Sequence, residues 1–319
     1  MPVEKEIRSQ LEVLPKILDW YDELPKEEIA EIFRETEGVI FLGCGSSYYI
    51  ALSAARFFMK KLGKPAWAVP AGEVIVAREW SVPPLDDHVA IFISRSGETS
   101  EVLKAVKILK SEGVRTIGVT LEKSSSLFKA VDLPIALPYD ERSIVMTRSF
   151  SGMLLALELI SEDASGNPSF GVYEKLIGDL PDTFERFEKL SEKLSDGKHY
   201  VFLGSGPYEG IARESALKLQ EMSLTTTEAY STLEYRHGPK SLVEPGVVVI
   251  LYGGGDHERK LSEEIGEMGG RSEVIESKVQ GYEDMFAMVM FAQLLGLKIA
   301  EKKGVDVENP RNLTKVVKL

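Results

Sequence analysis

The sequence is poor in several residue types, and each shortage excludes a class of protein. Cys44 is the single cysteine among 319 residues, which excludes an intrachain disulfide and fits a reducing compartment. No uninterrupted apolar run approaches the roughly 20 residues of a membrane-spanning helix. The N-terminal "MPVEKEIRSQ" is charged where a signal peptide would be apolar. We therefore expect a soluble, cytoplasmic protein that does not bind a membrane.

Basic residues are outnumbered by acidic ones. The chain has 38 Lys and Arg against 50 Asp and Glu, and its net charge is −12. A nucleic-acid binder needs clustered cations to meet the phosphate backbone, so we expect no nucleic-acid partner. Histidine is rare too, and the four histidines show no ligand-like spacing, so we expect no metal site.

Apolar runs alternate with helical periodicity along the chain. The runs at 39–42, 89–93 and 116–119 are typical of buried parallel strands. Apolar positions at helical spacing predict helices over 4–20, from the turn after 42 to residue 61, and over the segment that ends near Gly113. This alternation predicts an α/β fold with parallel sheets covered by helices on both faces.

The pattern restarts in the second half of the chain. "VIFLGCG" at 39–45 matches "YVFLGSG" at 200–206, and Gly43 and Gly204 are 161 residues apart. Glu73 and Glu234 keep the same offset, and "DASGNPS" at 163–169 has the composition of a linker. The sequence therefore predicts two similar domains, residues 1–165 and 166–319.

Two turns in the first half are rich in hydroxyls, "GCGSS" at 43–47 and "SRSGETS" at 94–100. Each follows a strand and precedes a helix, where free backbone N–H groups and the helix dipole favour an anion. The alternative interpretation is that these hydroxyls cap the helices, but N-capping needs only one Ser or Thr per helix. The second-half counterpart, "LYGGGDHE", opens a helix with neither residue. Without a nucleotide-binding motif, the pattern favours a small phosphorylated metabolite over ATP or NAD, bound in the first domain.

A second group of polar residues lies in the second half. Glu214, Lys218 and Glu221 form one stripe if 212–221 is helical, and this spacing alone favours a solvated face with ordinary salt bridges. His237 precedes Gly-Pro, so it is expected in an accessible turn, where it is either a proton donor or a plain surface residue. Cys44 is expected to be a packing residue rather than a nucleophile.

Together, "GCGSS", "SRSGETSE", "RESALKLQEMS", "TEAYSTLEYRHGP" and the terminal "NPRNLTKVVKL" resemble the sugar isomerase (SIS) domain family. The resemblance is strongest to the isomerase half of glucosamine-6-phosphate synthases and to the archaeal SIS-type glucosamine-6-phosphate deaminases. It implies two tandem SIS domains, each a five-stranded parallel sheet in a flavodoxin-like three-layer αβα sandwich. It also implies an enzyme that needs no cofactor and forms a homodimer with shared active sites.

The resemblance assigns a role to each matching residue. The implied catalytic group comprises Glu221 as the base between C1 and C2, His237 as the ring-opening group from the neighbouring subunit, Lys315 near the carbonyl carbon, and the supporting Lys218 and Glu214. The implied substrate-binding group comprises Cys44, Gly45, Ser46, Ser47, Ser94, Arg95, Ser96, Thr99 and Ile144. Arg95 and Arg236 depart from the Gln and Lys usual in the synthases.

The implied reaction is the deamination of glucosamine 6-phosphate to fructose 6-phosphate. The sequence starts at the isomerase half, without the glutaminase domain that supplies ammonia to a synthase, so the hydrolytic direction is expected. The alternatives are a fructosamine-phosphate deglycase, a sugar-phosphate isomerase of the same family, and a non-catalytic sugar-phosphate sensor.

Overall fold

The computed structural model describes residues 2–317, which form two compact units. What we call the first unit comprises residues 9–142, 148–174 and 314–317. The second unit comprises residues 2–8, 143–147 and 175–313. The chain therefore passes between the units more than once, at points that the composition does not mark.

The described residues contain nine strands and fifteen α-helices. The strands are β1 (Gly38–Gly43), β2 (Ala66–Pro70), β3 (His88–Ile93), β4 (Arg115–Thr120), β5 (Leu133–Ala136), β6 (His199–Gly204), β7 (Thr226–Tyr230), β8 (Val247–Gly253) and β9 (Arg271–Glu276). The helices are α1 (Pro2–Arg8), α2 (Gln10–Tyr21), α3 (Lys26–Glu35), α4 (Ser46–Leu62), α5 (Glu73–Val76), α6 (Arg78–Ser81), α7 (Ser100–Ser111), α8 (Ser126–Ala130), α9 (Arg148–Ala164), α10 (Phe170–Gly178), α11 (Leu180–Leu194), α12 (Tyr208–Ser223), α13 (Asp256–Glu267), α14 (Met285–Met288) and α15 (Met290–Lys303). Short 3-10 helices span Glu234–Arg236 and Pro239–Leu242.

The sheet of the first unit has five parallel strands in the order β2-β1-β3-β4-β5. This is the flavodoxin-like order, which the resemblance to the SIS family implies. Residues of β1 and β3 are buried almost throughout because helices cover both faces of the sheet. Val102 and Val106 of α7 pack with Ile40 and Phe92 in one core, which confirms the helical periodicity predicted before Gly113.

The sheet of the second unit is also parallel, with the order β7-β6-β8-β9. Within the described residues it has four strands, so the prediction of five strands in each sheet is right for the first unit and wrong for the second. The reason lies after β9, where "SKVQGYED" at 277–284 offers no apolar run for a fifth strand. Its residue Tyr282 has a φ of 71°, which an extended strand does not allow.

Two further predictions concern helices. The helix expected over 4–20 is two helices, α1 and α2, which are separated at Ser9. The expected linker at 163–169 largely coincides with the non-helical residues between α9 and α10. Among residues 2–317, none of the helices has both the length and the apolar character that a membrane crossing requires.

Candidate active site

The first hydroxyl-rich turn joins β1 to α4. Gly45 takes φ 55° and ψ −127°, and within the described residues no side chain caps the helix behind it. A Cβ on Gly43 would lie 2.5 Å from the backbone carbon of Ser47, so only glycine lets the strand meet the helix here. Ser46 and Ser47 begin the helix and are buried. The amides of Ser47 and Tyr48 are hydrogen-bonded to the backbone oxygens of Cys44 and Gly45 at 3.1 and 2.9 Å. The turn therefore offers an anion the positive end of the helix dipole.

The second turn joins β3 to α7, and its hydroxyls hold the backbone in place. Ser94 Oγ accepts from the amide of Gly97 at 3.1 Å and lies 3.2 Å from Thr99 Oγ1. Ser96 Oγ accepts from the amide of Glu98 at 3.2 Å. Gly97 has a φ of 65°, and a side chain on it would meet the neighbouring loop. Ser96 and Thr99 remain partly exposed, whereas Ser94 is buried.

The two turns belong to one edge of the sheet. The strands β1 and β3 are hydrogen-bonded neighbours, and both turns lie at their carboxyl ends. The chain leaves β1 toward β2 on one side and continues from β3 toward β4 on the other. Ligands of open parallel sheets bind at such a reversal of strand order. The predicted phosphate-binding serines therefore lie where this architecture places a ligand.

Arg95, in the second turn, forms a buried ion pair. Its guanidinium pairs with Glu141 at 2.7 Å, and both side chains are buried. Burial raises the pKa of Glu141, but the charge of Arg95 and hydrogen bonds from Ser149 outweigh it and hold the pKa below its ordinary value. The Nζ of Lys315 donates to the backbone oxygen of Glu141 at 2.6 Å. Glu141 therefore joins two predicted site residues, although no periodicity or motif in the sequence singles it out.

Cys44 is half-buried at the end of β1. Burial raises the pKa of its thiol to about 11, and the nearby charge of Glu101 adds to the effect. Such a thiol is a poor nucleophile at neutral pH. The structure thus favours the packing role for this side chain.

The charged stripe of the second unit lies on α12 and is not a solvated face. The side chains of Glu214 and Lys218 are fully buried, and that of Glu221 is 18% exposed. Lys218 Nζ lies 3.3 Å from Glu214 Oε1 and donates a short hydrogen bond to Glu221. Burial lowers the pKa of Lys218, but the two carboxylates outweigh this and raise it above the ordinary value. The interpretation as ordinary surface salt bridges is therefore wrong.

His237 follows the 3-10 helix Glu234–Arg236 and is exposed, which confirms the predicted accessible turn. Gly238 behind it has a φ of 131°, and Arg236 is held by Glu264 at 3.0 Å. Ile144, the residue expected over the ligand, lies in the segment 143–147 and is partly exposed. Of the predicted residues, the structure brings Ser94, Ser96 and Thr99 together in one turn, and it brings Glu214, Lys218 and Glu221 together on one helix.

Known proteins are similar to this chain in sequence and in fold. The SIS domain profile matches residues 32–161 and 193–272. The glutamine–fructose-6-phosphate aminotransferase (isomerizing) of Fusobacterium nucleatum is 28% identical over 98% of this chain, which spans 58% of that relative's length. A crystal structure of a glucosamine-6-phosphate deaminase from Thermotoga maritima is 38% identical, with a TM-score of 0.88 and 99% of both chains covered.

A tagatose-6-phosphate ketose/aldose isomerase from Escherichia coli has the same fold at 22% identity, with a TM-score of 0.85 and 98% of this chain and 97% of that chain covered. The profile match covers most of the chain and includes both strand-to-helix turns and the helix that carries the buried charges. The chain belongs to the SIS domain family.

Proposed function

We propose that the protein is a glucosamine-6-phosphate deaminase. The observation that carries the proposal is the charged cluster on α12, in which buried Lys218 holds the carboxylate of Glu221 while that carboxylate stays partly exposed. A base that moves a proton between adjacent carbons needs a fixed carboxylate with one side open to substrate. The 38% identity to a glucosamine-6-phosphate deaminase over the whole of both chains supports the choice of substrate.

The reaction begins at the two hydroxyl-rich turns. The amides and hydroxyls of 44–47 and 94–99 hold the phosphate of the sugar, with Ser46, Ser47, Ser96 and Thr99 as donors. His237 opens the pyranose ring by moving the proton between its ring oxygen and the C1 hydroxyl. The open chain then carries an aldehyde at C1 and an amine at C2.

Glu221 carries out the next step. Its carboxylate removes the proton from C2 to give an enolamine and returns a proton to C1, which leaves an imine at C2. Water adds to the imine, and ammonia departs to give fructose 6-phosphate. The ammonium group of Lys218 keeps the carboxylate of Glu221 ionised before it takes the proton, and that of Lys315 stabilises the negative charge that develops on the substrate oxygen. Each step conserves electrons, so the reaction needs no oxidant.

The proposal includes the finer organisation of the protein. We place the domains at 1–165 and 166–319 as two tandem SIS domains, in the cytoplasm. We also propose a homodimer in which His237 acts in the partner subunit. Mixing inactive Glu221→Gln and His237→Ala subunits then restores activity to about a quarter of wild type, because half of random dimers are mixed and each holds one intact site. Absence of recovery would contradict the shared site.

The test measures ammonia and fructose 6-phosphate separately after addition of glucosamine 6-phosphate. We expect equal amounts of both from the wild type, and a fall in kcat of about 10²–10⁴-fold in Glu221→Gln. Glu263→Gln removes an exposed carboxylate of the same unit as a matched control and leaves turnover unchanged. Ser96→Ala raises KM more than it lowers kcat.

Other outcomes would overturn the proposal. Turnover of fructosamine-phosphate adducts without turnover of glucosamine 6-phosphate would indicate a deglycase. Interconversion of phosphorylated ketose and aldose without ammonia would indicate an isomerase. Saturable binding of the sugar phosphate without any turnover would indicate a sensor.

A further inference from the structure

The second unit has a cavity of its own, outside the residues assigned above. It has a volume of about 270 Å³ and lies where β6, β8 and β9 end. Ser205 follows β6, Tyr252 and Gly253 end β8, and Ser277 follows β9. The strand order reverses between β6 and β8, so this cavity occupies the position at which open parallel sheets bind ligands.

Three tyrosines line the cavity and are held in place by their surroundings. The rings of Tyr208 and Tyr282 lie 4.8 Å apart at 57°, and those of Tyr208 and Tyr252 lie 6.5 Å apart. The hydroxyl of Tyr208 donates to Asp284 at 2.6 Å, and that of Tyr252 lies 2.8 Å from Ser215 Oγ. These bonds fix the two rings, so the aromatic wall exists before a ligand binds.

A buried carboxylate also lines the cavity. Glu258, in the first turn of α13, is 9% exposed. Within residues 2–317 its side chain makes neither a hydrogen bond nor an ion pair, while the adjacent Arg259 is held by Glu276 at 3.0 Å. Buried carboxylates are normally paired because desolvation penalises an unpaired charge. Glu258 is largely buried but lines the open cavity, so a cation that enters the cavity would pair with it in a partly desolvated setting.

The charge of the cavity decides the class of ligand. In the described residues its lining has one acidic side chain, Glu258, and no basic one. An anion such as phosphate is repelled, although the position corresponds to the phosphate-binding turns of the first unit. An ammonium group instead meets a carboxylate in a lining that also contains three tyrosines, and proteins combine carboxylates with aromatic rings to bind organic cations.

Glycines leave room for the ligand beside the carboxylate. Gly253 takes a φ of 128°, and a Cβ on Gly255 would lie 2.9 Å from Glu258 Oε2. The hydroxyls of Ser205 and Ser277 and the amide of Gln280 add polar groups that match sugar hydroxyls. The volume is close to the lower end of ligand pockets, roughly 300–1,000 Å³, and suits a single sugar ring.

We propose that this cavity binds a small hydroxylated primary amine, of the class of an unphosphorylated amino sugar, with its ammonium on Glu258. The site is separate from the one under Proposed function and does not depend on the reaction proposed there. Under this proposal the second unit binds a cationic group, whereas the turns of the first unit are proposed to bind an anionic phosphate.

The test uses glucosamine as the probe, in equilibrium dialysis with the full-length chain. We expect saturable binding by the wild type, weaker binding of neutral glucose, and no competition by inorganic phosphate. Glu258→Gln should weaken glucosamine binding at least about tenfold, because it removes a charge-assisted hydrogen bond. The matched control Glu263→Gln removes an exposed carboxylate from the same helix and should bind like the wild type.

A second variant keeps the proposal testable should Glu258→Gln not fold. Tyr282→Ala removes one aromatic wall and should weaken binding about fivefold. Glu221→Gln separates the two sites, since it abolishes the proposed deamination and leaves this binding intact. The proposal is overturned by absence of saturable glucosamine binding, by unchanged affinity in Glu258→Gln, or by binding lost in Glu221→Gln alone.

Discussion

Replacement of Lys218 by Met tests the buried charge cluster of α12. Met has a similar length, so the change removes the ammonium with little loss of volume. It leaves Glu214 fully buried and Glu221 mostly buried without their cation. Removing one partner of a buried ion pair costs about 3–5 kcal/mol of unfolding free energy. We expect that loss in Lys218→Met at pH 7.

The same helix supplies the matched control. Arg213 pairs with Glu209 at 2.8 Å, but its side chain is 41% exposed. Exposed pairs at this spacing contribute about 0.3–0.5 kcal/mol, so Arg213→Met should be close to neutral. The pKa of Lys218 is raised above 10.5. The contribution of the buried pairs is therefore complete at neutral pH and is lost only as the pH rises through the folded-state pKa.

Urea unfolding followed by two spectroscopic signals shows which unit Lys218→Met destabilises. Trp20, Trp67 and Trp80 are the only tryptophans in the sequence, and all three lie in the first unit. Far-UV circular dichroism reports both units. Lys218→Met should move the circular dichroism transition to lower urea more than the tryptophan transition. If Lys218→Met lost no more unfolding free energy than Arg213→Met, the reasoning would be refuted.

Three further predictions concern the first unit. Gly43→Ala places a methyl group against the backbone of Ser47, so we expect the free energy of unfolding in urea to fall by at least about 1–3 kcal/mol; wild-type stability would contradict the close approach. The pKa of Glu141 is lowered, so its pairing stabilises the fold above pH 4.5 and is lost as the pH falls through the folded-state pKa. Glu141→Gln should therefore destabilise at pH 7 by about 3–5 kcal/mol, and the gap to wild type should narrow in acid; a constant gap would argue against the ion pair. Because the pKa of Cys44 is about 11, only about 10⁻⁴ of the thiol is ionised at pH 7. Ellman's reagent should react slowly with the folded protein and quickly in urea, and equal rates would contradict the burial.

Local chemistry made much of the first unit predictable. The turns at 43–47 and 94–100 were identifiable because glycine and hydroxyl residues follow apolar runs. The flavodoxin-like strand order was available only from the family resemblance. The stripe on α12 shows the limit. Spacing places Glu214, Lys218 and Glu221 on one face, but it does not say which face is buried, so the residues alone favoured a solvated surface.

The features that the sequence did not predict depend on contacts between residues that are distant in sequence. Glu141 is 46 residues from Arg95 and 174 from Lys315, and no local pattern joins them. The missing fifth strand of the second sheet and the unpaired Glu258 have the same origin. Both involve "SKVQGYED" at 277–284, which forms no strand and supplies four residues to the lining of the cavity that holds Glu258.

The production of ammonia from glucosamine 6-phosphate tests the central proposal most directly. Wild-type protein and Glu221→Gln are incubated with this substrate, and ammonia and fructose 6-phosphate are measured over time. The proposal predicts equal molar amounts of both products from the wild type and a rate lower by about 10²–10⁴-fold in the variant. Retained turnover in Glu221→Gln, or a wild type that consumes the substrate without releasing ammonia, would contradict it.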